Sequence, residues 1–361
     1  MTLADVDHRA RRSAVAAALP DDVDGVLITN GANVRYLTGF SGSHGAVLIA
    51  AGGRSVLATD GRYLERASAE APGIECLQAR RAGTALVEHA RTVEIARLGF
   101  EPGDVSVAAF DGLAAAADGI ELVRAPRVVE EQRAVKDAAE VAAITRACEI
   151  TARAFEAVID ELRMGVTERE IARLLIAAMQ DRGAAGPAFD AIVAFGPHSA
   201  IPHHEPTDRP LARGDLVKLD FGASYEGYCA DMTRTVVLGP AADWQREIHG
   251  EVADLQAGLR TAAAQSSLPR DLDAAMRERL DRLGRPTLHG LGHGLGLEIH
   301  EDPFLTEDSP APALQAGTVF TIEPGVYLAG RGGVRIEDTL VVQESGQPRV
   351  LTEATRALIE V

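Results

Sequence analysis

Two stretches of this chain about a hundred residues apart can be laid over each other, and that repeat limits the fold more than any other feature. "LARGDLVKLDFG" (211–222) lies over "LQAGTVFTIEPG" (314–325) at a constant offset, 314 − 211 = 103. Gly214 then matches Gly317, Gly222 matches Gly325, and Asp220 matches Glu323. The stretches that follow match as well: "ADMTRTVV" lies over "IEDTLVV", placing Asp231 over Glu337 (337 − 231 = 106). Upstream, "EIARLLIAAMQDRG" (170–183) lies over "DLDAAMRERLDRLG" (271–284). Two copies of helix-then-hairpin imply an α+β domain with an internal pseudo-twofold repeat.

Each hairpin carries carboxylates where strands seldom have them. Leu216, Val217, Leu219 and Phe221 are strand formers, and Asp220 interrupts them. Asp is depleted in strands and rarely buried unless paired or bound to a cation. Cross-strand partners in an antiparallel hairpin have a constant index sum. Pairing Asp220 with Asp231 gives 451, which sets Ser224 against Gly227 around a tight turn; pairing Glu323 with Glu337 gives 660, an odd loop through "AGR". On that register each hairpin holds two carboxylates ~5 Å apart. A single Asp in a strand is ordinarily an edge residue, and a lone His is ordinarily a core or surface group. A carboxylate at both equivalent places in both copies is hard to ascribe to a solvated surface. Four such groups meeting at a pseudo-twofold repel by several (~) kcal/mol at low dielectric. Cations or protons must be present, and two divalent ions ~3.5–4 Å apart, held by bridging carboxylates, fit the requirement. For a nitrogen ligand, "HGLGHGLGLEIHE" (289–301) offers His289, His293 and His300, and His203-His204 precede the first hairpin. The glycine-rich run is not a dinucleotide fingerprint, because a strand-like stretch follows it instead of a phosphate-binding helix.

At 361 residues the chain is long for one domain. Residues 1–127 alternate strand and helix signals and read as a small α/β domain: "DGVLIT" and "ARLGFE" as strands, "GAVLIAAGGRSVLATD" as a hairpin turned at Gly52-Gly53, "GRYLERASAEA" as a helix. Residues 128–361 then form the second domain. Asp137 and Glu140 make a capping box, followed at helical spacing by Val141, Ile144, Cys148, Phe155, Ile159 and Leu162. Thr167 and Glu170 cap another helix that ends near Gly183. A net charge of −17 argues against nucleic acid and acidic membranes as partners. No apolar run approaches the ~20 residues of a membrane span. "HRARRSAVAAALPDD" reads as an amphipathic first helix, since its apolar run is short for a signal peptide. Three cysteines are too few for a disulfide framework. Together these place the chain in a reducing cytoplasm.

At these residues the chain resembles the M24 metallopeptidases of pita-bread fold, in the Xaa-Pro branch of prolidase and aminopeptidase P. The resemblance is dense in "DFGASYEGYCADMTRT", "HGLGHGLGLEIHE", "TIEPGVY" and "GGVRIED". "NVRYLTGFSGSHG" (33–45) and "TDGRY" (59–63) resemble the N-terminal, creatinase/prolidase-type domain of short bacterial members, so the likeness covers essentially the whole chain. It implies five metal ligands, Asp220, Asp231, His293, Glu323 and Glu337, with Asp231 and Glu337 bridging two ions of manganese, cobalt or zinc. Asp220 would hold one ion, and His293 and Glu323 the other. It implies surrounding roles for His203, His289, His300, Tyr327 and Arg335: in relatives the positions of His203 and His300 contact substrate or the tetrahedral intermediate, and Glu323 shuttles the proton. It also implies a homodimer and a proline-containing di- or oligopeptide substrate. One position departs from the pattern. Many prolidase relatives follow "HE-x-P" with Arg or Lys, placed to hold the dipeptide's free carboxylate, and here "HEDPF" has Phe304. A substitute cation could come from Arg35 in "NVRYLTG" or Arg62 in "TDGRY". The expected activity is Xaa-Pro dipeptide cleavage, with aminopeptidase P action on longer peptides as the alternative. A methionine aminopeptidase would not need the N-terminal domain, and a creatinase-like hydrolase would not need all five ligands. A non-catalytic peptide-binding member would be expected to have lost them.

Overall fold

The computed structural model describes residues 6–361 and divides the chain into two compact units, Val6–Arg133 and Ala134–Val361. The division falls a few residues beyond 127/128 because the helix Val128–Ala134 is tied back into the first unit: Glu130 and Arg133 both hydrogen-bond the buried Asn33.

The first unit is a six-stranded mixed sheet with helices, an α/β arrangement. Its strand order is Glu75–Gln78, Ser55–Thr59, Gly45–Ala50, Gly25–Ile28, Arg97–Phe100, Glu121–Arg124. Gly45–Ala50 pairs antiparallel with both neighbours, and the outer pairings are parallel. Gly53 takes a positive φ of 83° at the expected hairpin turn. The N-terminal segment forms the helix His8–Ala18, capped by Asp7.

In the second unit both capping boxes are present. Asp137–Glu140 opens the helix Ala138–Ile159, and Thr167–Glu170 opens the helix Glu168–Gln180. Of the apolar series, Leu162 lies past the end of the first helix but is still buried. The repeat is visible in the strand order. One sheet runs Met232–Val237, Leu216–Phe221, Ile192–Phe195; the other contains Asp338–Val341, Val319–Ile322, Gly292–Gly294 in the same sequence of neighbours. Each is covered by a helix pair, Ala138–Ile159 with Glu168–Gln180 and Asp243–Ala262 with Pro269–Arg282. Each has its own apolar core: Phe155, Ile171, Val193 and Leu219 in the first copy, and Ile248, Met276, Phe320 and Val334 in the second. The two returning strands are joined directly. Glu337 N donates to Thr233 O (3.1 Å), Thr235 Oγ1 to Arg335 O (3.0 Å), and Thr339 Oγ1 to Asp231 O (2.8 Å). That seam carries the carboxylates of both copies to one place. Among the described residues, no helix is long and apolar enough to cross a membrane.

Candidate metal centre

Both copies present their acids at equivalent points of the ladder. Asp220 is the last residue but one of Leu216–Phe221, and Glu323 directly follows Val319–Ile322. Asp231 directly precedes Met232–Val237, and Glu337 directly precedes Asp338–Val341. In the second hairpin the partners keep the index sum of 660, as in Ile322↔Asp338 and Gly325↔Arg335, with Ala329–Arg331 as the loop. The first hairpin differs from expectation. Its sum is 453, so Asp220 faces Thr233 and not Asp231. The cause is the turn: Tyr225 pairs with Tyr228, and the two-residue loop Glu226-Gly227 has φ of 48° and 83°. A two-residue loop with both φ positive is the type I′ turn that suits the strand twist. Asp231 therefore stands across from Gly222, diagonal to Asp220 on the same face. Gly222 has no side chain to come between them, and a Cβ there would strike Ala230 O at 1.7 Å.

The side chains converge even so. Asp231, His293 and Glu337 offer donor atoms all within 4.8 Å of one another, and all three residues are buried. His293 Nε2 lies 3.6 Å from Asp231 Oδ2 and 3.5 Å from Glu323 Oε1. Its Nδ1 donates to Gly294 O at 3.0 Å, which leaves the Nε2 lone pair facing the carboxylates. Burial, reinforced by His300, pulls the His293 pKa down to about 4, so the ring is neutral at pH 7. Asp220 borders the same cleft, but its Oδ2 is taken by Arg335 Nη2.

Arg335 organises the rim of this group. Its Nε donates to Thr233 Oγ1 (3.1 Å), and its Nη1 donates to Tyr327 OH (2.9 Å) and Pro202 O (3.2 Å). Tyr327 OH in turn donates to His289 Nε2 (2.8 Å), and His289 Nδ1 donates to Gly290 O (2.8 Å). Burial, with Arg335 nearby, lowers the His289 pKa to about 4, so the ring is neutral and passes this chain of donors on to Gly290 O. His203 and His300 are exposed at the mouth, with the His300 ring edge-on to His293 at 4.3 Å between centroids.

Left to themselves the acids are mismatched with their surroundings. Burial pushes the Glu323 carboxyl up to about 7, Asp220 adding repulsion and Arg335 opposing it. Asp231 and Glu337 are raised well above the carboxylate range by burial and then by one another's neighbours, Glu337 acting on Asp231 and Glu323 on Glu337. Asp231 Oδ1 and Glu337 Oε1 are buried with no hydrogen-bond partner. Each such orphan acceptor costs roughly 1–3 kcal/mol unless something fills it. Carboxylate oxygens with one imidazole nitrogen suit divalent first-row cations, so the residues present fit a metal centre.

The cleft has a volume of about 600 Å³. Phe304 lines it, 39% exposed and directly opposite His293 in the ladder. Arg35 and Arg62 belong to the first unit. Arg35 sits in the last turn of the helix Gly31–Thr38, and Arg62 binds Asp60, with Nη2 2.7 Å from Oδ2. Sequence reasoning passed over Lys218, one of two lysines in the chain. Its Nζ donates to Ile201 O (2.6 Å) and Pro202 O (3.1 Å), and burial lowers its pKa to about 6. A cation inside "LVKLDF", two residues from Asp220 on the same strand face, was the signal available. The acids Asp190 and Glu205 at the cleft mouth were also missed; nothing in their local sequence marks them.

Fold and site together define a metallopeptidase of pita-bread architecture behind a creatinase/prolidase-type domain. The chain belongs to metallopeptidase family M24: that family's model matches residues 142–344, and the creatinase/prolidase N-terminal domain matches residues 11–135. A curated relative, an Xaa-Pro dipeptidase of Pyrococcus furiosus, is 36% identical over 94% of this chain and 96% of its own length. Among solved structures, an Xaa-Pro dipeptidase from Bacillus anthracis superposes with a TM-score of 0.94 at 34% identity, covering 98% of this chain and all of the other. An X-Pro aminopeptidase from Thermotoga maritima gives 0.85 at 36% identity, covering 94% and 98%.

Proposed function

We propose that the chain hydrolyses the peptide bond preceding proline, as an Xaa-Pro dipeptidase. The observation that carries this is the convergence of Asp231, His293, Glu337 and Glu323, with one oxygen each of Asp231 and Glu337 buried and unpartnered, beside Asp220 held by Arg335. Two divalent ions would be held by these five residues, with Asp231 and Glu337 shared between them and manganese, cobalt or zinc equally matched by the donors. Bound there, the ions supply Lewis acidity toward the scissile carbonyl and acidify the attacking water.

The residues do the rest. Glu323 takes the water's proton and hands it to the leaving imino nitrogen. His203 and His300 at the mouth donate to the developing oxyanion, a contact whose loss costs ~10²–10³ in rate. Arg335, Tyr327 and His289 hold Asp220 and the cleft wall in place through the bonds described. Proline nitrogen carries no hydrogen, so the bond is a tertiary amide, and a pocket shaped to the ring would set this enzyme apart from general peptidases. Cys76, Cys148 and Cys229 stand outside any disulfide, which fits a reducing cytoplasm, and the resemblance to prolidases is the ground for a homodimer acting on proline-containing peptides.

A second reading, aminopeptidase P action on longer peptides, is favoured by Phe304 at the place where many relatives carry a cation, and by the likeness to an X-Pro aminopeptidase. The deciding experiment is hydrolysis of an Xaa-Pro dipeptide beside an Xaa-Pro-Yaa tripeptide with manganese added. Faster dipeptide turnover supports the first reading; faster tripeptide turnover supports the second. No cleavage of either overturns both.

A further inference from the structure

One buried carboxylate outside the metal centre holds the segment that carries His203. Glu168, the first residue of the helix Glu168–Gln180, is 0% exposed. Its Oε1 accepts from Phe195 N (2.8 Å) and His198 Nδ1 (2.8 Å). Its Oε2 accepts from His204 Nε2 (2.8 Å), Thr207 N (2.9 Å) and Thr207 Oγ1 (2.6 Å). The five donors come from the start, middle and end of residues 195–207, so this loop is closed on a single anion. Burial works to raise the Glu168 pKa, but Thr207, His204 and the amides bring it below the usual value, and a helix N-terminus favours the charge. Although Glu168, His198 and His204 cluster as metal ligands do, two backbone amides and a hydroxyl already occupy the carboxylate, so the cluster is a clamp and not an ion site.

The same loop is tied to the metal centre by its other residues. Pro202 O accepts from Arg335 Nη1 and Lys218 Nζ, and Ile201 O accepts from Lys218 Nζ. His203 stands between Pro202, bound to the centre, and His204, bound to Glu168. Its own ring makes no hydrogen bond among the described residues, so its neighbours alone set its position. We propose that Glu168 is a positioning residue: by clamping the loop 195–207 it fixes where His203 meets the substrate. This rests on the role given to His203 above.

Glu168→Gln tests it. The side chain keeps its shape, but one acceptor oxygen becomes an NH2 that faces two or three donors, so the loop must shift. A displacement of about 1 Å at a positioned group costs up to ~10²-fold in rate. The expected result is kcat down by ~10–100-fold with KM and metal content unchanged, because the contact belongs to the transition state. In the His203→Ala background, Glu168→Gln should cost less than ~3-fold, since the two act as one unit. Thr207→Val, which removes one of the five donors to Glu168 together with the acceptor of Arg209 N (3.2 Å), should show a smaller loss with the same dependence on His203, and it carries the test if the Gln variant does not fold. Losses that multiply independently in the double variants, or a change confined to KM or to metal content, would overturn the inference alone. Full activity of His203→Ala would overturn the role of His203, and the inference with it.

Discussion

Glu337→Gln separates a metal centre from a merely buried acid, because it has opposite consequences with and without metal. In the metal-free protein Glu337 adds charge to Asp231, and their ligating atoms lie no more than 4.8 Å apart together with His293 Nε2. Two unit charges at that distance repel by ~3 kcal/mol at an effective dielectric of ~20. Glutamine keeps the shape, and its carbonyl can still accept from Thr233 Oγ1, which donates to Glu337 Oε2 at 2.7 Å. At ~2–4 °C per kcal/mol for a unit of this size, the ceiling on the gain in Tm is about 10 °C. Protonation already relieves part of the repulsion, since burial and charge raise both pKa values, so a rise of ~3–6 °C at pH 8 is the expectation. With manganese the sign reverses. A shared ligand is lost, more than one ion's worth of binding goes with it, and the variant becomes less stable than the loaded parent. Scanning calorimetry on chelated and manganese-loaded samples, with elemental analysis of the latter, reads both effects. Asp231→Asn should behave in the same way. A metal-free variant less stable than its parent, or one full ion retained in both variants, would refute the shared-ligand reasoning.

His300→Ala and His203→Ala should fold and keep both ions while losing at least ~10²-fold in turnover; metal loss in either would make that residue a ligand, and normal activity in both would return them to ordinary surface groups. The pH dependence follows from Glu323, whose carboxyl burial pushes up to about 7, above the ordinary 4.5 of a glutamate. The protonated form is favoured in the metal-free fold, so this contribution to stability is complete below ~4.5 and lost as pH rises through ~7. Metal binding needs the ionised form, so the difference in Tm between loaded and metal-free protein should grow from pH 6 to 8; a flat difference would contradict it. Arg35→Ala and Arg62→Ala, assayed on a dipeptide and its C-terminal amide, test the substitute cation: one should lose the dipeptide reaction by ~10²-fold and spare the amide, because only the dipeptide has a charge to pair. Equal losses on both substrates would end that idea.

The parts of the molecule legible in the sequence are those whose local chemistry admits one reading. Asp137–Glu140 and Thr167–Glu170 set two helix starts because the cap bonds lie within four residues. The offset of 103 between Asp220 and Glu323 carried the pseudo-twofold, since a duplicated hairpin keeps its register. The first hairpin was misread by two because the pairing was inferred from the carboxylates, whereas the left-handed Glu226-Gly227 turn decides it. Glu168 was invisible for a different reason. An acidic residue after an N-cap Thr is ordinary in a first helical turn, and only the tertiary fold shows five donors gathered on it from residues 195–207. Lys218 likewise gains its meaning from carbonyls sixteen and seventeen residues away in sequence.

The most direct test of the central claim is a manganese titration of the chelated protein, following hydrolysis of an Xaa-Pro dipeptide as metal is added. The account predicts no turnover without metal and a rise that is complete at two equivalents per chain. Full turnover at one equivalent, or turnover that survives chelation, would contradict it.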